Sequence, residues 1–251
     1  MNRKKAGNKV LIIALIAAFI LLVGSREFIA FMADLLFFRE VRYEAVFMKT
    51  FQAKLLTGLA FGTIAFIVIF INLRIAGRRA YALAGLNPMW ERIPLLQKID
   101  LHPLLGGISL IVSLFAFVVV FPVGKEYWEQ TLLFLNSVPA NLADPLFGND
   151  ISFYLFTYPL IDKANDMIRS LVAVSVLLTV PVYILRGGIV TMGRHFTVEP
   201  GVKLHLGILV SLFLISLSIS FALDRYGLLT TEHGVLYGAS YRTPCSVVSR
   251  P

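Results

Sequence analysis

The residues of this 251-residue chain that are best suited to chemistry are four histidines and one cysteine. Histidine is a common metal ligand and general base, and a cysteine thiolate is a nucleophile or a soft metal ligand. The histidines, at 102, 195, 205 and 233, show neither the His-x-x-x-His nor the His-Glu-x-x-His spacing of a helical zinc site. Cys245 has no second cysteine for a disulfide and no basic cluster to activate its thiol. We therefore expect no catalytic residue, no metal site and no cofactor.

The acidic segment from Asp144 to Asp150 is the strongest local motif. A calcium loop needs oxygen-bearing side chains at alternate positions, and Leu146 and Gly148 stand there instead. Pro145 favours an extended Asp144, Gly148 can adopt positive φ, and Asp150 can cap the segment that follows. The sequence predicts a structured turn in which both aspartates are structural, and replacing both by asparagine should be mild. No glycine-rich phosphate loop, nucleophile elbow or paired-carboxylate site is present, so the sequence does not predict an enzyme.

Composition indicates where such a chain resides. Hydrophobic residues make up 57% and charged residues 15%, whereas an ordinary soluble domain has about 25% charged residues. The mean hydropathy of +0.78 also excludes a disordered chain. The net charge of +8 is spread over separate loops, unlike the single basic face of a nucleic-acid-binding protein. We expect no nucleic-acid partner.

Five uncharged segments are long enough, or nearly so, to cross a bilayer. They lie near residues 10–23, 55–73, 104–123, 170–185 and 204–223. The fold class predicted is an all-α integral membrane protein with five transmembrane helices plus interfacial amphipathic helices. The first segment also has the pattern of a cleavable signal peptide, although an uncleaved anchor is favoured. The fourth has only 16 residues, so a re-entrant or interfacial helix is its alternative.

The positions of lysine and arginine predict the topology. The amino-terminal tail and the loops at 74–100 and 186–203 are the basic ones, whereas the loop at 124–166 has six acidic and two basic residues. We therefore expect a cytoplasmic amino terminus and an extracytoplasmic carboxyl terminus. This topology would put His102, His195 and His205 near one membrane face, which leaves a shared metal as the alternative to no metal.

Aromatic and small residues predict how the helices contact lipid and one another. The loop at 26–54 carries phenylalanines at helical spacing, which is typical of an interfacial helix. Trp128, Leu132 and Leu135 share one helical face in the next outer loop. Gly58 and Gly62 form a Gly-x-x-x-Gly step, which allows helix backbones to approach closely within one chain or between chains.

Four stretches of the chain resemble a bacterial multi-pass membrane family, the uncharacterised protein family 0182. The stretches are Asp34–Phe47, Asp144–Phe156, Leu223–Leu229 and Gly234–Tyr241. An Asp-Pro-x-Phe-Gly-x-Asp block and a Gly-Ala-Ser-Tyr block carry most of the likeness. The structural motif candidates are Asp144, Pro145, Phe147, Gly148, Asp150, Asp224, Arg225, Tyr226, Gly238 and Tyr241.

The resemblance implies a plasma-membrane protein of greater length, with about seven spans followed by a large extracytoplasmic part. It implies no activity, ligand or catalytic residue. Residues 1–241 would then be one membrane-embedded helical domain. Residues 242–251 fit neither a span nor the family pattern, so we expect them to be the irregular tail of a truncated product.

Two functional classes remain open from the sequence. The first is a noncatalytic anchor that holds an extracytoplasmic part on the bilayer, with other membrane proteins or a second copy as partners. The second is a permease, lipid-handling protein or channel subunit. A water-lined groove containing Ser175, Thr179, Ser211 or Ser216 would favour the second.

Overall fold

The computed structural model of the chain describes residues 28–78, 101–192, 195–230, 232–233 and 236–237. The expected first span at 10–23, the tail at 242–251, Gly238 and Tyr241 lie outside these residues. The chain divides into two units, Met1–Ala53 and Lys54–Pro251, and each is described by itself.

In the first unit, α1 covers residues 28–40 and is followed by a turn into α2, Glu44–Arg78, which continues into the second unit. Arg42 has φ 61°; the Tyr43 amide donates to Phe38 O at 2.8 Å, and the Arg42 amide to Arg39 O at 3.1 Å. This is the helix-ending pattern in which one residue adopts the left-handed conformation. Phe31, Phe38, Phe47 and Phe51 pack together, with ring centroids 4.9–6.4 Å apart for the contacting pairs.

The second unit continues through α3, Leu101–Glu126, and the short α4, Trp128–Leu135. A loop at 136–150 leads to a π-helical turn, Phe153–Thr157, and directly into α5, Tyr158–Leu185, with Pro181 inside it. A hairpin of β1, Ile189–Met192, and β2, His195–Val198, connects α5 to α6, Pro200–Thr230. A small pair, β3 Glu232–His233 and β4 Leu236–Tyr237, follows α6. The two hairpins are short additions to the predicted all-α class, which is confirmed.

Four of these helical segments are long and apolar enough to cross a membrane. They are Glu44–Arg78, Pro103–Glu126, Phe153–Leu185 and Pro200–Gly227. They contain the last four of the five predicted segments. The helix that contains the segment predicted at 170–185 is much longer than expected. The 16 uncharged residues are the second half of a 33-residue helical segment, so residues 153–166, which we expected in an outer loop, are helical. The extension was missed because the span was predicted from uncharged residues alone. Arg169 and the charged residues before it ended that uncharged run.

The largest helix–helix interface in the second unit is between α5 and α6. Near its hairpin end, Ala76, Tyr183 and Val202 form a core in which each is at most 1% exposed. Buried hydroxyls lie on α3 and α5. Ser109 and Ser113 of α3 and Ser175 and Thr179 of α5 are at most 3% exposed. Each donates to a carbonyl of its own helix, at 2.6–2.8 Å. Such bonds let a polar residue be buried without an inter-helix partner.

Candidate functional site

Asp144 organises the loop between α4 and the π-helical turn. Its Oδ2 accepts from the Phe147 amide at 2.7 Å and from the Tyr154 hydroxyl at 3.1 Å. Its carbonyl accepts from the Gly148 amide at 2.9 Å, and Gly148 has φ 69°. A side chain other than glycine is strained at that φ, so Gly148 closes the turn that Asp144 begins.

Asp150 ties the two ends of the same loop together. Its Oδ1 accepts from the Ala140 amide at 3.1 Å and from the Ser152 amide at 2.8 Å. Its Oδ2 accepts from the Asn141 amide at 2.8 Å. Because Asp150 uses both carboxylate oxygens, an asparagine would present an NH₂ group to one of these donors. Asp144 uses only Oδ2 in the bonds described here, so we expect the two aspartates to differ in their tolerance of asparagine.

Both carboxylates are held in their charged form. Partial desolvation raises the pKa of Asp144, but the nearby backbone amides of Phe147 and Leu146 and the Tyr154 hydroxyl outweigh it, and the pKa is lowered. The Ser152 amide is the main cause that lowers the pKa of Asp150, with the Ala140 and Asn141 amides adding to it. A lowered pKa in the folded state means that these bonds stabilise the loop above the unfolded value of about 4. That stabilisation is lost as the pH falls through the lowered pKa values.

Tyr226 from α6 joins this loop to the second motif. Its ring lies 5.1 Å from the Phe147 ring, 5.3 Å from Phe153 and 6.1 Å from Tyr154, all edge-on. We call Phe147, Phe153, Tyr154 and Tyr226 the aromatic junction. Edge-to-face pairs at these separations are favourable beyond the area they bury. The Asp-Pro-x-Phe-Gly-x-Asp block and the Asp-Arg-Tyr block therefore meet in space, although about 75 residues separate them.

Gly227 lets α6 approach the same region closely. A Cβ at Gly227 would lie 2.6 Å from the Tyr158 hydroxyl oxygen, so a larger residue would displace the Tyr158 side chain. Of the other motif candidates, Asp224 and Pro145 are exposed. Arg225 has a buried Nε without a hydrogen-bond partner within the part of the chain that the structure describes.

The predicted glycine step lies against α3. A Cβ at Gly58 would be 3.0 Å from Phe121 O, and one at Gly62 would be 2.9 Å from the Phe117 ring. Gly124 of α3, which the sequence reasoning missed, faces them. A Cβ there would be 2.6 Å from Phe61 Cβ and 3.2 Å from Gly58 Cα. Gly124 lies two residues after Pro122, at the end of an apolar run. Nothing in its local sequence indicates a helix contact, and only knowing that α3 packs against Gly58 would have identified it.

A polar network between α5 and α6 was also missed. Asn165 Nδ2 donates to Ser216 O and to Ser220 Oγ, each at 3.0 Å. Ser216 Oγ donates to Asn165 Oδ1 at 2.9 Å. Arg169 donates to Ser220 Oγ and pairs with Asp166 at 2.7 Å. The sequence pointed to Ser216 as a groove residue and assigned Asn165 to the loop at 124–166, so their contact was not predicted.

His205 takes part in two described hydrogen bonds between helices. Its ring nitrogens bond to Tyr183 and to Asn72. Within the described residues, no group of three His, Cys, Asp or Glu side chains could hold a metal ion. The side chains of His102, His195 and His233 lie outside the described set, so the shared-metal alternative stays a prediction without a test.

The arrangement places its acidic side chains on backbone amides and its aromatic rings on one another. Each described bond of Asp144 and Asp150 is made to this chain's own donors. This geometry supports a structural role: it holds the loop at 136–150 against the π-helical turn and against α6.

The family model described as "Uncharacterised protein family (UPF0182)" matches residues 10–247. The UPF0182 protein of Pelobacter propionicus is 32% identical over 83% of this chain and 23% of its own length. The UPF0182 protein of Geobacter sulfurreducens is 32% identical over 94% of this chain and 26% of its own length. The one of Paenarthrobacter aurescens is 28% identical over 93% of this chain and 23% of its own length. No solved structure matches the chain.

This chain spans about a quarter of the length of the curated relatives that it matches. The match covers all of the described residues, including the aromatic junction and both glycine-packed helices. The chain belongs to the uncharacterised protein family UPF0182.

Proposed function

We propose that this chain is the membrane-anchoring bundle of a larger bacterial plasma-membrane protein with an extracytoplasmic part. The lipid bilayer is its principal partner, and it performs no catalysis itself. In this proposal the amino terminus and the β1–β2 hairpin are cytoplasmic, and the aromatic junction is extracytoplasmic.

The observation that carries the proposal is the distribution of apolar and polar side chains on the long helices. On α3, Ile111 is 69% exposed and Phe115 is 68% exposed, whereas Ser113 is fully buried. In a water-soluble bundle the apolar stripe would face the interior. Helices that expose large apolar residues and bury small hydroxyls are suited to a lipid surround, where packing of small residues holds them together.

The positions of the groove residues favour the anchor over the permease or channel subunit. Ser175, Thr179 and Ser216 are at most 3% exposed, and their hydroxyls donate within the bundle. Ser211 is exposed and lies with Leu204, Ile208 and Leu212 on a shallow depression formed by α6 alone. The hydroxyls of Ser175, Thr179 and Ser216 are therefore occupied by hydrogen bonds within the bundle, and Ser211 lies on an open surface of α6.

A matched pair of arginine substitutions tests the proposal. Leu114, on α3, is 56% exposed, and Leu146, in the loop before the π-helical turn, is 59% exposed. If α3 crosses the bilayer, Leu114→Arg places a charge in hydrocarbon at a cost of about 2.5–3.5 kcal/mol. Leu146→Arg remains in water and should cost little.

The measurement is the amount of each variant that stays in bacterial membranes after an alkaline carbonate wash. We expect the unmodified chain and Leu146→Arg to stay in the membrane pellet at similar levels. Leu114→Arg should accumulate several-fold less. Equal accumulation of the two variants, or release of the unmodified chain by the wash, would contradict the anchor.

A further inference from the structure

Three helices that can span the membrane are joined by one polar trio near the β1–β2 hairpin. Asn72 lies on α2, Tyr183 on α5 and His205 on α6. The Tyr183 hydroxyl bonds to His205 Nδ1, and His205 Nε2 lies 2.9 Å from Asn72 Oδ1. The Tyr183 and His205 rings meet edge-on with centroids 5.9 Å apart. This trio lies in none of the motifs that the sequence pointed to.

The bonds of Asn72 determine which nitrogen of His205 carries the proton. Asn72 Nδ2 donates to Val68 O at 2.7 Å, so its Oδ1 is the atom that faces His205. A carbonyl oxygen only accepts, and His205 Nε2 is therefore the donor. In a neutral imidazole the other nitrogen is then an acceptor, so Nδ1 accepts from the Tyr183 hydroxyl. Neutral His205 satisfies both partners at once.

Tyr183 belongs to the core of the second unit, whereas Asn72 and His205 are half-buried. Tyr183 is 1% exposed and packs with Ala76 and Val202, which are fully buried. A buried polar group that loses its partner costs more free energy than an exposed one. The state of these two hydrogen bonds therefore affects how tightly the ends of α2, α5 and α6 stay together.

We propose that Asn72, Tyr183 and His205 form a proton-sensitive latch, which is closed when His205 is neutral and weakened when it binds a proton from solvent. The added proton goes to Nδ1, which changes from acceptor to donor. The Tyr183 hydroxyl must then turn its own proton away, and the neutral pairing is lost. Protonation also places a positive charge among apolar neighbours.

Charged side chains on the surrounding elements are not members of the trio. On α5, Arg186 follows Tyr183 by one helical turn, and on α6, Lys203 is exposed and stands two residues before His205. On α2, Arg74 lies over the Phe70 ring and toward Gly106. Glu199 is the acidic residue that precedes α6, and its amide donates to Gly188 O. His205 is thus the titratable member of the latch near neutral pH.

The test is the thermal midpoint of the purified full chain in detergent, measured from about pH 8 to about pH 5, the range around an unperturbed histidine pKa. We expect the midpoint to be constant above about pH 7 and to fall by about 2–4 °C below it, because the Tyr183 hydroxyl no longer has His205 Nδ1 as its acceptor. In His205→Gln the amide can donate to Asn72 and accept from Tyr183 without titrating. Its midpoint should stay flat across the range.

Two further variants keep the test decisive if His205→Gln does not fold. Tyr183→Phe removes the hydroxyl that donates to neutral His205, so the acid-induced fall should shrink whatever the midpoint at pH 8. His233→Gln removes a histidine outside the latch and should keep the full fall. A wild-type midpoint without a fall, a fall that persists in His205→Gln, or an undiminished fall in Tyr183→Phe would overturn the latch.

Discussion

At the residue scale, Asp144 and Asp150 have the same charge but different bonding. Asp144 receives the Phe147 amide and the Tyr154 hydroxyl on one oxygen. Asp150 receives three backbone amides on two oxygens. An asparagine retains one carbonyl oxygen and exchanges the other for a donor. It can therefore replace Asp144 more faithfully than it can replace Asp150.

We predict that Asp144→Asn accumulates in membranes at nearly the wild-type level, whereas Asp150→Asn accumulates several-fold less. At position 150 the new NH₂ group faces an amide donor, and that donor is left without an acceptor. Immunoblotting of washed membranes measures both variants, and Asp144→Ala serves as the variant that removes both oxygens. Equal accumulation of Asp150→Asn and the wild type would show that the bond from Asn141 is dispensable.

The sequence predicted the type of this loop but not its partners. Pro145 and Gly148 indicate a turn, because each restricts or permits particular backbone angles locally. The contact between Phe147 and Tyr226 depends on the packing of two helices distant in the chain, and no local angle contains that information. The unequal tolerance of asparagine follows from the same non-local bonds.

At the element scale, α2 and α3 approach through glycines from both helices. The Gly58 and Gly62 spacing predicted a close approach, and its counterpart Gly124 became visible only with α3 in place. The network of Asn165 with Ser216 and Ser220 similarly depends on the register between α5 and α6. The sequence predicts where helices form and shows which of their residues are small. The register between two helices is decided by the fit of side chains across their interface.

We predict that Gly124→Ala destabilises the chain by about 1–3 kcal/mol, because the new methyl group would overlap Phe61. Gly107→Ala is the matched control, since it lies on the same helix and a Cβ there meets nothing within 4 Å. Alanine has the higher helix propensity, so the control should be neutral or slightly stabilising. Thermal midpoints in detergent compare the two, and similar midpoints for both variants would show that α2 and α3 do not depend on this contact.

At the scale of the whole molecule, the anchor account depends on the long helices crossing a bilayer in a defined order. Their length and composition are sufficient for four crossings, and the basic loops supply the orientation. With that orientation the aromatic junction would face outward, and the curated relatives are about four times as long as this chain. The latch at His205 would then lie near the cytoplasmic end of the same helices.

Site-directed cysteine labelling in intact cells tests this orientation most directly. In a Cys245→Ser background, single cysteines replace Leu146 in the loop beside the aromatic junction and Thr197 in the β1–β2 hairpin, both of which are exposed. The account predicts that a membrane-impermeant maleimide labels Leu146→Cys in intact cells and labels Thr197→Cys only after permeabilisation. Labelling of both cysteines in intact cells, or of Thr197→Cys alone, would contradict the account.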